Sequence, residues 1–94
     1  MAEDTKYADR MAEKLREWER DIRQLRAKAE ETGADKTQEV REELSELESR
    51  REEARTAWER AKESTGEASR ELWRGFEDAC RELSRAWERA VSRL

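Results

Sequence analysis

Apolar residues recur at alternating intervals of four and three along the first third of the chain, with polar residues between them. The series consists of Met11, Leu15, Trp18, Ile22, Leu25 and Ala29. This spacing is the heptad pattern of coiled-coil helices, in which positions a and d face a neighbouring helix. Leu15 and Ile22 then occupy a, and Trp18 occupies d. The pattern predicts a first helix over about residues 4–32. We call the a and d residues of each helix its heptad seam.

The segment ETGADKTQ interrupts this first seam. Gly33 can adopt the left-handed conformation that closes a helix. Asp35 can cap the next helix, and Gln38 lies three residues later, which is the spacing of a capping box. We therefore expect a tight antiparallel turn, followed by a second helix over about residues 35–63.

The second seam is continuous in spacing but weaker in content. Its members are Val40, Leu44, Leu47, Ala54, Trp58 and Ala61. Arg51 occupies the seam position between Leu47 and Ala54. We expect the aliphatic part of Arg51 to follow the seam while its guanidinium reaches solvent or a neighbouring acid. The alternative is a buried charge that sets the register of the helices.

The segment KESTGEAS marks a second break. Ser64 and Glu67 have capping-box spacing, and Gly66 lowers helix propensity by about 1 kcal/mol relative to alanine. The register of the second helix, when extended, falls one residue before Trp73. These features favour a turn and a third helix over about residues 67–93. In the alternative, one continuous helix absorbs the shift by local changes in winding.

The third seam is the most strongly amphipathic of the three. It contains Trp73, Phe76, Cys80, Leu83, Trp87, Ala90 and Leu94. Gly75 interrupts this segment, and we expect it to let another helix or a bulky ring approach closely. Residues 1–94 are thus predicted to form one all-α domain, an antiparallel three-helix coiled-coil bundle. The alternative is a helical hairpin with one long C-terminal helix, which would dimerise.

Composition narrows the classes of function. Charged residues make up 49% of the chain and hydrophobic residues 34%, values that would permit disorder if the apolar periodicity were absent. The net charge is −4, and acids and bases interleave without a clustered positive face, so we expect no nucleic-acid partner. There is no apolar run of membrane-spanning length and no secretory signal pattern at the N-terminus. A cytoplasmic location is expected.

Few residues offer catalytic or metal-binding chemistry. The chain has no histidine, which removes the commonest general base and transition-metal ligand. Its one cysteine, Cys80, cannot form an internal disulfide and is expected to be a small core residue. Adjacent glutamates point apart on a helix, and no phosphate-binding loop is present. We therefore expect no catalytic, cofactor or metal site, and a protein that is not an enzyme.

Charged residues on the outer faces have the spacing of intrahelical ion pairs. Three pairs have the favourable order, with the acid four residues before the base: Glu19–Arg23, Glu46–Arg50 and Glu77–Arg81. We expect them to form on solvated helix surfaces.

Two stretches of the chain, LREWERDIRQLRAKAE and ASRELWRGFEDACRELSRAWERAVSRL, resemble a family of small bacterial coiled-coil proteins. Some members of that family are described as stress-response or apolipoprotein-like proteins. The first stretch matches a Leu-x-x-Trp-x-x-x-Ile-x-x-Leu pattern through Leu15, Trp18, Ile22 and Leu25. The second matches through Ala68, Leu72, Gly75, Ala79 and Leu83. Ser69 and Cys80 stand where the family pattern has tryptophan. The resemblance covers about half of the chain and implies a helical fold without an established activity.

Four tryptophans in so polar a chain are the remaining candidates for function. The predicted interaction and core residues are Trp18, Trp58, Trp73, Phe76, Leu83 and Trp87. We expect an aromatic-rich helical core; the alternatives are a seam shared with another chain, or an aromatic face that lies in a lipid interface. The function expected is that of a structural or interaction protein acting through helix–helix contacts, as a homodimer or with another helical protein. The alternative is reversible binding to a membrane or lipid surface under stress.

Overall fold

The computed structural model of the chain describes the backbone of residues 2–94 and the side chains of residues 6–94. Helix α1 spans Ala2–Thr32, α2 spans Gln38–Glu63, and α3 spans Glu67–Arg93. A short 3₁₀ turn, Ala34–Lys36, precedes α2. The predicted all-α bundle of three helices is confirmed. The alternative with one long C-terminal helix is wrong, because α2 ends at Glu63 and the chain turns back.

Contacts between the helices define an up-down-up arrangement. Arg93, at the end of α3, donates to Glu39 at the start of α2 over 2.7 Å. Near the opposite end of α2, Trp58 contacts the backbone of Ala8 in α1. Helix α2 is therefore antiparallel to α1 and α3, which run parallel to each other. The bundle is a rod of 48 × 18 × 16 Å.

The core is thin and entirely apolar. No polar or charged side chain is buried among the described residues. The buried residues are Ala8, Leu15, Ile22, Leu25, Ala29, Val40, Leu44, Leu47, Ala54, Ala61, Phe76, Leu83, Ala86 and Ala90. Six of these fourteen are alanines, so much of the interior is lined by small side chains.

The three helices are not equally spaced. Helices α2 and α3 make the closest backbone approach, and α1 lies close to α2 but not to α3. Ala54 in α2 and Ala86 in α3 have 0% exposure, and Ala61 in α2 and Ala90 in α3 have 1% exposure. Alanine at buried positions lets two helix backbones approach closely, because a methyl group occupies little space.

The first turn confirms one expectation and corrects another. Gly33 has the predicted left-handed conformation, with φ of 77°. The predicted Asp35–Gln38 capping box is wrong, because Asp35 lies within the 3₁₀ turn. Thr37 caps α2 instead, since its backbone is extended and its hydroxyl accepts a hydrogen bond from the Val40 amide over 3.4 Å. Helix α2 therefore begins three residues later than predicted.

The second turn forms as predicted, but its capping differs. Ser64 does not cap α3; it ends α2, where its hydroxyl donates to the Ala61 carbonyl oxygen over 2.6 Å. The predicted Ser64–Glu67 capping box is therefore wrong. Gly66 occupies the N-cap position of α3 with φ of 69°, a conformation that favours glycine, and no side chain caps this end.

Gly75 does not have its expected role. The residue is exposed on α3, and no atom lies within 4 Å of the position that a Cβ would occupy. The expectation that Gly75 admits a helix or a ring is wrong, because the buried face of α3 lies elsewhere around the helix.

Candidate functional site

The six predicted seam residues separate into two groups. Phe76 and Leu83 are fully buried, with 1% and 0% exposure. All four indoles, of Trp18, Trp58, Trp73 and Trp87, are only half-buried. In α3 the d positions, Phe76, Leu83 and Ala90, and one g position, Ala86, are buried in the interior. The rings at the a positions, Trp73 and Trp87, lie at the edge of the interior and are half-buried. The aromatic seam is thus partly core and partly surface.

Trp58 joins α2 to α1. Its indole Nε1 donates to the carbonyl oxygen of Ala8 over 2.9 Å. The Nζ of Lys62, one turn further along α2, lies 4.6 Å from the centroid of the ring, within the range of a cation–π contact. The polar edge of the indole is therefore satisfied within the chain, and Lys62 lies against one face of the ring.

Aromatic rings fill the wider space between α1 and α3. The centroids of Trp18 and Trp87 lie 5.7 Å apart at an interplanar angle of 71°. Tyr7 and Trp73 meet edge to face at 4.9 Å and 86°. Pairs of this geometry contribute about 0.5–1.5 kcal/mol each beyond their burial. These two contacts hold α1 against α3 where the backbones are far apart.

Tyr7 contributes to the contact between α1 and α3 and was not predicted from the sequence. Its hydroxyl donates to Glu77 Oε1 over 3.2 Å, and burial together with the negative charge of Glu77 raises the pKa of the phenol. The heptad register of α1, extended back from Leu15, places Ala8 at a and Tyr7 at the adjoining g position. That extension was the signal that could have identified it.

A half-buried apolar stripe follows the line between α1 and α3, and we call it the α1–α3 groove. It contains Tyr7, Met11, Trp18, Trp73, Cys80 and Trp87, all half-buried. Leu94, one heptad after Trp87, and Val91 continue the stripe to the end of α3, with 41% and 45% exposure. These two are the exposed large hydrophobic side chains of the described part of the chain. The groove therefore presents apolar surface along one side of the rod.

Charged residues border this groove beside Trp18. A shallow depression of about 240 Å³ is lined by Lys14, Glu17, Trp18 and Asp21. Within residues 6–94, neither Lys14 nor Asp21 forms an ion pair. Both side chains can therefore pair with charges from outside the chain.

Arg51 pairs with acids, as predicted. Its guanidinium lies 3.1 Å from Glu48 and 3.8 Å from Glu19 of α1. The alternative of a buried charge is wrong, because the Arg51 side chain retains 21% exposure. Ion pairs this exposed contribute about 0–1 kcal/mol, so they orient α1 and α2 more than they stabilise them.

The predicted intrahelical pairs form in one case of three. Glu46 and Arg50 pair at 3.1 Å, which confirms that expectation. The Glu19–Arg23 and Glu77–Arg81 pairs are wrong. Glu19 pairs across the bundle with Arg51 and Arg55, Glu77 accepts the Tyr7 hydroxyl, and Arg81 pairs with Asp78. Partners on a neighbouring helix, or three residues away on the same helix, thus replace the partner four residues away.

The thiol of Cys80 is half-buried between α1 and α3. Burial raises its pKa, the charge of Lys14 lowers it, and the charge of Glu77 raises it again. The net pKa lies above the ordinary value, so the reactive thiolate is disfavoured at neutral pH.

Other candidate chemistry is sparse in residues 6–94. No group of three or more His, Cys, Asp or Glu side chains among them is placed to hold a metal ion. A shallow, solvent-open groove of about 660 Å³ lies near the second turn, lined by Tyr7, Gly66, Ser69, Arg70, Trp73, Arg74 and Glu77. No helix in the described part of the chain combines the length and apolar character needed to cross a bilayer.

Comparison with known proteins adds no relative: no protein-family model, curated protein or solved structure matches the chain. The resemblance to small bacterial coiled-coil proteins therefore stays a prediction.

Proposed function

We propose that the chain is a non-enzymatic structural or interaction protein that acts through helix–helix contacts in the cytoplasm. Its partner is a second copy of the chain or another helical protein. The observation that carries the proposal is the open α1–α3 groove. Three of the four indoles lie along it, each only half-buried, and Val91 and Leu94 extend it as exposed apolar surface.

Energetics favour covering this groove. Full burial of a valine or leucine side chain contributes about 1.5–3 kcal/mol. Val91 and Leu94 are a little less than half exposed, so covering both contributes roughly 1–3 kcal/mol. A chain of this length has a total stability of about 5–14 kcal/mol, and six of its fourteen buried apolar residues are alanines. Association is thus a substantial addition to a thin core.

Molar mass in solution, measured by sedimentation equilibrium over a concentration series, tests self-association. We expect the mass to rise from that of the monomer towards that of the dimer, with a blue shift of tryptophan emission as the indoles are covered. A mass equal to the monomer at every concentration would contradict self-association. Binding to another helical protein would then have to be shown by a separate interaction assay.

Lipid-surface binding is the competing function, and vesicle co-sedimentation separates it from self-association. The rings of the groove contact one another within the bundle, and acids alternate with bases on the outer faces. Anionic vesicles therefore offer little electrostatic attraction. We expect the protein to remain in the supernatant with unchanged emission. Co-sedimentation with a blue shift would favour the lipid function instead.

A further inference from the structure

The border of the α1–α3 groove is self-complementary in charge. Lys14 and Asp21 lie one heptad apart on α1, so they share a face of the helix, and Trp18 lies between them. Lys14 and Asp21 line the same shallow depression as Trp18, which places both charges at the border of the groove. The positive and negative side chains are thus nearly equidistant from Trp18, in opposite directions along the rod.

We propose that a second copy of this chain covers the groove, with its own groove facing the first and the two α1 helices antiparallel. This inference rests on the proposed self-association and names its surface. A two-fold axis passing near the Trp18–Trp87 pair places Lys14 opposite the partner's Asp21, and Asp21 opposite the partner's Lys14. Two ion pairs then flank a central cluster of four indoles. Glu17 is exposed and remains at the solvent edge of this contact.

The same two-fold axis brings the partner chain against the exposed end of α3. Cys80 and Leu94 lie seven residues before and after Trp87, so antiparallel docking brings Leu94 against the partner's Cys80. Val91 lies four residues after Trp87 and contacts the partner's Ser84, which lies three residues before the Trp87 of its own chain. The two most exposed large hydrophobic side chains are therefore covered by the operation that pairs the charges.

A parallel arrangement of the two copies lacks this complementarity. Tyr7 contacts both Trp73 and Glu77, and Trp18 contacts Trp87, so residues of α1 lie beside α3 residues about 66–70 positions later. In parallel docking α1 lies over α3 of the second copy. Lys14 then faces the partner's residues 80–84, and Asp21 faces the partner's residues 87–91. The oppositely charged residues in these ranges, Glu82 and Arg89, already pair within their own chain, Glu82 with Arg85 and Arg89 with Glu43 and Glu46 of α2. Neither charge gains an opposite charge, and the antiparallel arrangement is favoured.

The available area is sufficient for such a dimer. Seen from one side, the Cα atoms of the rod span 48 × 18 Å, a projected area of about 860 Å². Specific interfaces of standard size bury about 800 Å² on each partner. The contact would use nearly the whole α1–α3 side of the bundle, so we expect a single two-fold dimer without further growth.

Charge reversal at the two border positions tests the inference. In Lys14→Asp or Asp21→Lys, both ion pairs of the dimer become like-charge contacts, and we expect a dissociation constant at least about tenfold weaker than that of the unmodified chain. An equimolar mixture of the two variants restores opposite charges in the mixed dimer. It should associate within about threefold of the unmodified chain, as should the double variant K14D/D21K.

Glu13→Lys and Arg20→Asp are matched controls, because these residues precede Lys14 and Asp21 by one position and are exposed on α1. They should leave the dissociation constant unchanged within about threefold. Circular dichroism confirms that every variant is folded. If the unmodified chain dimerises but the border variants behave like the controls, or the mixture is not rescued, the docking geometry is refuted while self-association stands. If the unmodified chain stays monomeric, self-association and the docking geometry both fail, and another helical protein is left as the partner.

Discussion

Replacement of Ala86 by leucine tests the packing of α2 against α3. Ala86 occupies the g position immediately before Trp87, outside the a and d seam, and its exposure is 0%. From the heptad pattern alone, a leucine here would widen the apolar stripe of α3 and stabilise the helix interface. From the structure, Ala86 is fully buried on a helix whose backbone packs closely against α2, so we expect the added carbon atoms to overpack the interior.

The magnitude follows from overpacking a close helix pair. Helices in contact lie about 8–10 Å apart depending on the side chains between them, and forcing extra methylene groups into such a contact costs about 1–3 kcal/mol. Helix propensity changes little, because alanine and leucine are both good helix formers. Each 1 kcal/mol shifts the melting temperature of a domain this small by about 4–8 °C. We therefore expect Ala86→Leu to melt roughly 5–20 °C lower than the unmodified protein.

Urea unfolding followed by far-ultraviolet circular dichroism measures the change. Ala27→Leu is the matched control, because Ala27 is exposed on α1 and its replacement should alter stability by less than about 0.5 kcal/mol. Both proteins are measured at one concentration below the onset of association, so that dimerisation does not contribute. If Ala86→Leu proves as stable as the control, the close packing of α2 on α3 is incorrect and the heptad interpretation of the seam is sufficient.

Three further changes follow from individual residues. Trp58→Phe removes the hydrogen bond to the Ala8 carbonyl oxygen and should lower the free energy of unfolding by about 0.5–1.5 kcal/mol in urea titration; an unchanged value would contradict that bond. Gly75→Ala should raise the free energy of unfolding by about 0.5–1 kcal/mol, because an added Cβ on this helical residue meets no other atom. Gly66→Ala should lower it, because the φ of Gly66 is 69°, which alanine adopts only with strain. Thermal melts that shift in the same direction for both variants would refute this contrast. The pKa of Cys80 is raised in the folded state, so the pH at which its alkylation rate increases should be higher for the native protein than for the protein unfolded in urea. For the same reason, the free energy of unfolding should fall as the pH rises through the ordinary thiol pKa of 9.0, because the unfolded state then loses the thiol proton first. Coincident pH profiles would show that the thiol is not desolvated.

Local features of the chain were enough to predict the helices. The spacing of apolar residues located all three, because a helix must place residues three and four apart on one face. Gly33 marked the first break correctly, since an αL residue closes a helix at little cost only when it is glycine. The capping residues were less accessible. Thr37 and Asp35 both lie where they could cap α2, and the 3₁₀ turn that decides between them is not visible in residue spacing.

The candidate surface was predicted only in part. The six seam residues were identified, but which of them would be fully buried was not. Tyr7 and Lys14 join the groove only because α1 and α3 run parallel and side by side. The ion pairs were also predicted only in part. Glu19 could pair with Arg23 on its own helix, but in the structure it pairs with Arg51 of α2.

The sequence by itself determined the number of helices, their approximate ends and the apolar side of each. The tertiary structure decided how far each helix is rotated about its axis, and therefore which apolar residues became core and which became surface. On α3 the apolar side is wide enough for either Ala86 or Trp87 to face α2. Close packing favours the methyl group, because an indole cannot fit where two backbones meet, so the ring moves to the edge beside α1. A groove bordered by half-buried tryptophans is the consequence.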